Sequence, residues 1–460
     1  MITDTARQKR KQMLEDPVVP LTLKTALPSL AAMLASGLAT LMDALILSPL
    51  GRDVTAAVAV SFPLVTLIQT IGFTLGMGAG SLISRCLGRG EQDEARHAAS
   101  CSLLLALLLG LLLLCAGLLV PLALVRLLGA TPAVERDAAV YARYLLLGAP
   151  LTCLSLVLSS LLRGQGLVLP NMAAYSLGGA AGVLLQFLLV RRAGLGLLGA
   201  GIAMLAREGL TLLLLALAVL RGPAFIRPSL SRCLPTLSIL AGIMRSGLPT
   251  LIRQGFMSVS GVMVSRVSAG FGEAALAGMG LAVRALALAS SAVIGFGQGF
   301  QPVCGVNYGA RRMDRVRYAY CFCMKTLVFS LLAVGALVFL FAQPLLALFG
   351  AEAQATAFAA RVLRAQSVVL AAQGAVILMN MLTQAMGLTV RATLVASSRQ
   401  GPILMALLAL MPRLFGETGL VLAQSASDLI ALALSYLLTR KLFAEELTQQ
   451  GLSVRESPGS

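Results

Sequence analysis

Long apolar runs, each closed by a short polar connection, follow one another down the chain. They predict twelve helices able to cross a bilayer, over about 25–48, 54–81, 98–120, 139–161, 172–190, 197–220, 246–269, 275–302, 318–342, 358–382, 397–412 and 418–439. The eleventh is the shortest and is bracketed by Pro402 and Pro412. The pattern then repeats: Pro249 follows Pro28 by 221 positions, and the same offset pairs Met42 with Met263, Gly51 with Gly272, Gly76 with Gly297, Gly88 with Gly309, Asp93 with Asp314, Gly129 with Gly350 and Gly166 with Gly387. After one deletion the offset is 220, which pairs Gly199 with Gly419 and Glu208 with Asp428. A register kept over so much chain argues for duplication. Six spans per copy is an even number, so both copies start from the same side and are related by an axis along the membrane normal. The expected fold class is an all-α polytopic membrane protein, with twelve transmembrane helices in two pseudo-twofold-related six-helix lobes. The expected units are an N-terminal tail 1–24, a first lobe 25–220, an inter-lobe loop 221–245, a second lobe 246–440 and a C-terminal tail 441–460.

One carboxylate interrupts the first apolar run, LPSLAAMLASGLATLMDALILSPLG at 27–51. Counted from Pro28 at ~1.5 Å per residue, Asp43 lies ~22 Å along the helix, inside a ~30 Å hydrocarbon layer. Its face carries Ala32, Ala35, Ser36, Ala39 and Thr40, small or hydroxyl-bearing residues that suit close packing or a polar cavity. A buried acid in a membrane span marks an ion or proton path more often than a structural tie. The repeat puts Val264 where Asp43 would recur, so coupling is expected in the first lobe alone.

Composition agrees with the pattern: 58% of residues are hydrophobic and 12% charged. The net charge of +17 would suggest nucleic acid in a soluble protein. Here the basic residues gather in the N-terminal tail and in the connections on one side of the membrane, where they act as topology signals that place both termini in the cytoplasm. No nucleic-acid partner is expected. Heavy use of Arg, Ala, Leu and Gly hints at a GC-rich bacterial genome and a bacterial plasma membrane. The eight cysteines have no paired or ligand-like spacing, so neither a disulfide framework nor a metal is expected.

Further candidates are weighed against plainer roles. Glu208 and Asp428 form a second titratable set or a structural neutralisation; Arg207 adjoins the first. Arg253 and Arg284 are expected to face the interior and hold helices together. Ser36, Thr40, Gln69, Gln254, Gln298, Gln301, Asn307, Met257 and Asn380 are candidates to line a central cleft; Met suits a promiscuous pocket but also fills cores. Pro28 and Pro249 begin equivalent helices and are candidate hinges. His97, the one histidine, sits in an Arg-rich loop and is read as solvated.

With these residues in hand the chain resembles the multidrug and toxic compound extrusion (MATE) family, part of a superfamily that includes lipid-linked oligosaccharide flippases. The resemblance rests on the Pro28 to Asp43 helix, Phe62-Pro63, GMGAGSLISRCLG at 76–88, LLRGQG at 161–166 and above all GFGQGFQPVCGVNYGARRMDRVR at 295–317. It implies a two-lobe exporter of amphipathic, often cationic compounds, driven by inward proton or sodium flow. The chain departs from the family where some members carry Asn and Asp in span 5, since Gly182 and Gln186 stand there. Members with a sodium site in the second lobe place acids in spans 7 and 10, where this chain has only Arg253, Gln254, Arg266, Gln373 and Asn380. Proton coupling through Asp43 is therefore favoured over sodium. The expected activity is a monomeric antiporter without enzymatic chemistry or cofactor, because one His and no paired motif leave little to do catalysis. A sodium-coupled exporter and a lipid flippase are the alternatives.

Overall fold

The computed structural model describes residues 2–119, 125–126, 128, 131–132, 134–221, 224, 226–229, 234–347 and 352–455, and no strand occurs among them. Gly129 and Gly350 of the repeat, and part of the inter-lobe loop, lie outside the described residues. Nine described helical stretches are long and apolar enough to cross a bilayer, ten when Ala353–Val368 and Leu370–Ala385, bent by 57°, are taken as one. The stretch Thr389–Glu445 holds two crossings, because Gly416 (φ 58°, ψ −138°) is not helical. Leu237–Ala269, which carries Arg245, Arg253 and Arg266, is the twelfth.

Spans 1 to 6 are Val18–Leu47, Arg52–Arg89, Gln92–Leu119, Glu135–Gly164, Val168–Phe187 and Gly196–Leu220. Spans 7 to 9 are Leu237–Ala269, Glu273–Gly309 and Met313–Leu340; span 10 is the bent pair; span 11 is Thr389–Gln400 continued from Pro402; span 12 follows Gly416. The eleventh therefore starts at Thr389, not 397. Arg391 and Thr393 lower the hydropathy of its first turns, and the chain breaks at Gly401 (φ −105°, ψ −135°) before Pro402, which lacks an N–H.

Spans 1 and 7 begin well before the positions expected from hydropathy. Pro28 and Pro249 accordingly lie inside their helices and do not begin them. In span 1 the extra turns are compatible with a low-polarity setting because Thr22 and Thr25 return their hydroxyls to the carbonyls of Val18 and Leu21. Residues Ile2–Glu15 form a further helix.

The lobes meet through spans 1 and 8 and through spans 2 and 7, two interfaces that the repeat exchanges. The same exchange is visible atom by atom near the end that bears the termini. A Cβ on Gly88 would strike the Val306 carbonyl oxygen, and one on Gly309 would strike that of Arg85, the repeat-equivalent contact. Only glycine lets these backbones approach so closely. Arg85 adds a tie from span 2 to the second lobe, donating to the Ala385 carbonyl at 3.1 Å and to Ser246 Oγ at 2.8 Å. The N-terminal helix straps the same end: Arg10 donates to the Gly88 carbonyl of the first lobe, while Asn307 and Arg312 of the second donate to the carbonyls of Met13 and Leu14.

The connection after span 6 is held to the first lobe. Ile226 exchanges two hydrogen bonds with the Gln165 side chain, Ser229 N–H donates to Ser100 Oγ at 2.8 Å, and the exposed His97 Nε2 lies 2.9 Å from the Leu234 carbonyl. Large apolar side chains such as Leu112, Phe329 and Leu437 are exposed on the outer surface, as a lipid-facing belt requires.

Candidate functional site

Span 1 carries Asp43 to the place where it packs on span 5 and touches span 6. Asp43 Oδ2 accepts a hydrogen bond from Arg207 Nη1 at 2.5 Å, and Arg207 Nε lies 3.6 Å from Glu208 Oε1. Gln186 Nε2 donates to the Asp43 backbone carbonyl at 3.3 Å. Asp43 Oδ1 is buried with no hydrogen-bond partner. The aspartate thus faces protein, with one oxygen satisfied and one not. Two acids share one cation, and a second arginine nearby, Arg163, is held by Ser159 and Ser160.

Gly182 makes the arrangement sterically accessible. A Cβ there would come within 2.7–2.8 Å of the Arg207 side-chain carbons, so the glycine clears the path along which this stem reaches Asp43. Span 6 supplies the cation that meets Asp43, and Gln186 of span 5 keeps a contact with the Asp43 backbone. Beside the triad lies a cavity of about 140 Å³ lined by Ser36, Thr40, Asn171, Tyr175, Arg207 and Glu208 among others.

The second lobe is built differently. Asp428 is fully buried; its Oδ1 accepts from Arg399 Nε at 2.7 Å and from Gln424 Nε2 at 3.3 Å, while Oδ2 has no partner. Ser427, the repeat equivalent of Arg207, donates to the Arg399 carbonyl. A cavity of about 540 Å³ opens here, with Arg253, Arg399 and Val264 in its wall.

The sequence-derived candidates divide between these places. Ser36 and Thr40 line the first cavity; Gln254, Met257 and Asn380 line the second; Gln69 and Gln298 belong to both, so the two cavities adjoin. Gln301 lies apart, in a narrow space of about 20 Å³ beside Gly76 and Ser84, donating to Gln384 Oε1 at 3.2 Å. Asn307 is fully buried and lines neither cavity: it is a dock for the N-terminal helix, donating to Met13 and accepting from Arg315. Arg284 of span 8 is exposed, one turn before Ala287 of the second-cavity wall. Arg399, inside the expected eleventh span, is a site residue that the sequence reading does not single out, although a cation in an apolar run is a signal. Arg163, Asn171 and Tyr175 carried no signal, since only the packing of spans 4 and 5 brings them to the cavity. Among the described residues one group has metal-like donors, Cys86, Glu91 and Glu94, and Arg89 already occupies it, pairing with both acids and donating to the thiol.

Comparison with known proteins fits this geometry. The chain is 25% identical over 395 residues to the multidrug export protein MepA of Staphylococcus saprophyticus, covering 85% of this chain and 87% of the relative. MepA of Staphylococcus aureus is 23% identical over 391 residues, with 84% and 86% covered. Among solved structures, a multidrug resistance MATE family transporter of the MOP superfamily in an outward-facing conformation superposes with a TM-score of 0.90 at 26% identity, covering 95% of this chain and 98% of that one. A MATE structure in the bent conformation gives 0.88 at 25% identity, with 96% and 99% covered. The MatE family profile matches twice, over residues 28–188 and 249–410, two segments that begin at Pro28 and Pro249 and so restate the internal repeat. With most of both lobes inside those two matches, the chain belongs to the MatE family of multidrug and toxic compound extrusion transporters.

Proposed function

We propose that this protein is a secondary active exporter that moves amphipathic compounds, cationic ones included, out of a bacterial cell against inward proton flow, with Asp43 as the group that takes up and releases the proton. The observation that carries the reading is Asp43 itself, unsatisfied at one oxygen and ion-paired through the other to Arg207, which lines the first-lobe cavity together with Glu208. A carboxylate half-supplied with partners in a low-dielectric site is sensitive to the arrival of a proton or a cation. Protonation of Asp43 removes the charge that holds Arg207 and leaves the arginine to Glu208, so the contacts between spans 1 and 6 weaken. Span 1 is also packed on span 8, and a change in its seating is thereby felt at the lobe interface.

The basic tail and loops support cytoplasmic termini. In that orientation the lobes are closed on the cytoplasmic side by Gly88, Gly309 and Arg85, and the state described is outward-facing. Proteoliposomes loaded with ethidium test the reading. An imposed pH gradient is expected to drive transport and an imposed sodium gradient to leave it at background. Transport that follows sodium alone, or that survives Asp43→Asn, would exclude it.

A further inference from the structure

The second-lobe cavity holds one positive charge more than the protein neutralises. Arg253 and Arg399 both line it and repel each other. Asp428, buried behind the wall, engages Arg399 through Nε. No Asp or Glu lines the cavity, and Arg253 has no hydrogen bond or ion pair among the described residues. An uncompensated cation in a membrane-embedded cavity is costly unless something of opposite charge reaches it. The rest of the wall combines apolar side chains, such as Met257, Leu286, Ile294 and Ile377, with neutral hydrogen-bonding groups including Gln254 and Asn380. At about 540 Å³ the space has the size and mixed character of a small-molecule site.

The first lobe shows that this charge is not a requirement of the fold. The repeat equivalent of Arg253 is Ala32, and that of Val264 is Asp43. Relative to the first copy, the second has gained a cation on its opening helix and lost an anion.

We propose that the second-lobe cavity binds the anionic group of an amphipathic molecule, a phosphate, sulfonate or carboxylate held by Arg253 and the free Nη groups of Arg399, with its apolar body against Met257 and Ile377. This goes beyond the coupling reading and does not depend on it, because binding and not transport is measured. The group's source is either a soluble amphipathic anion or the headgroup of an acidic phospholipid.

The test uses the full chain in nanodiscs and radiolabelled taurocholate, a steroidal sulfonate. In discs of phosphatidylcholine alone, saturable binding is expected, and Arg253→Gln is expected to weaken it by about tenfold or more. Arg253→Lys, which keeps the charge, should retain most of the affinity. Met257→Glu supplies a second and independent arm: it places a carboxylate one turn from Arg253 on the same helix, at a half-exposed position, and should abolish binding without emptying any packed space. Adding phosphatidylglycerol to the discs separates the sources. A loss of taurocholate affinity in the parent chain marks the headgroup as the occupant, and unchanged affinity marks a soluble anion. Absence of saturable binding to the parent chain in phosphatidylcholine discs, or binding by Arg253→Gln and Met257→Glu as tight as that of the parent chain, overturns the proposal.

Discussion

The two lobes share a backbone plan and divide their charges differently. In the first, an acid on the opening helix meets a cation from span 6, and a second acid follows that cation in sequence. In the second, the opening helix carries the cation, span 11 supplies another, and span 12 supplies the one acid buried among the described residues. Both copies close the same end of the molecule with equivalent glycines. Packing was conserved through the duplication while electrostatics diverged, which is what is expected if glycine contacts set the architecture and a few polar side chains set the work done in each half.

The largest effect that would test this asymmetry comes from Asp43. Asp43→Asn is expected to remove gradient-driven ethidium transport to background, whereas Asp428→Asn should leave a response to the pH gradient; equal loss in both would erase the functional difference between the lobes. The next tests stability. Arg399→Gln leaves Asp428 fully buried without its cation, and breaking a buried pair in this way costs about 3–5 kcal/mol, to be read as a lowered unfolding midpoint in detergent. Arg207→Gln should cost less, because its partners are about one-fifth exposed. Smaller again, Arg85→Gln removes two hydrogen bonds that join the lobes at the terminus-bearing end; a glutamine amide or water takes over part of them, so a net cost of about 1 kcal/mol is expected. Cysteine accessibility at that end should rise. The smallest is Gly182→Ala, whose new methyl meets the flexible Arg207 stem and displaces it from Asp43; a partial fall in transport with little change in stability is expected.

Much of the fold was legible because a bilayer forces long apolar runs, and the repeat could be counted by register. Span 11 is foreshortened in the sequence reading for a local reason: Arg391, Thr393 and the Gly401-Pro402 break lower its apparent hydropathy. Asp43 was legible as a solitary acid in an apolar helix. What surrounds it was less so, since the meaning of Gly182 depends on Arg207, 25 positions away on another helix. Likewise the specific motif around Asn307 identifies the family well, yet in this chain the side chain fastens the N-terminal helix instead of facing a cavity.

That fastening has a mechanical corollary. A segment gripping Gly88 on one half and Asn307 with Arg312 on the other is a clasp, and a clasp across a seam must let go of one flap before the seam can part. Anything bulky fused ahead of Arg10 would therefore bias the transport cycle, and a fluorophore placed there would report each opening as it happens.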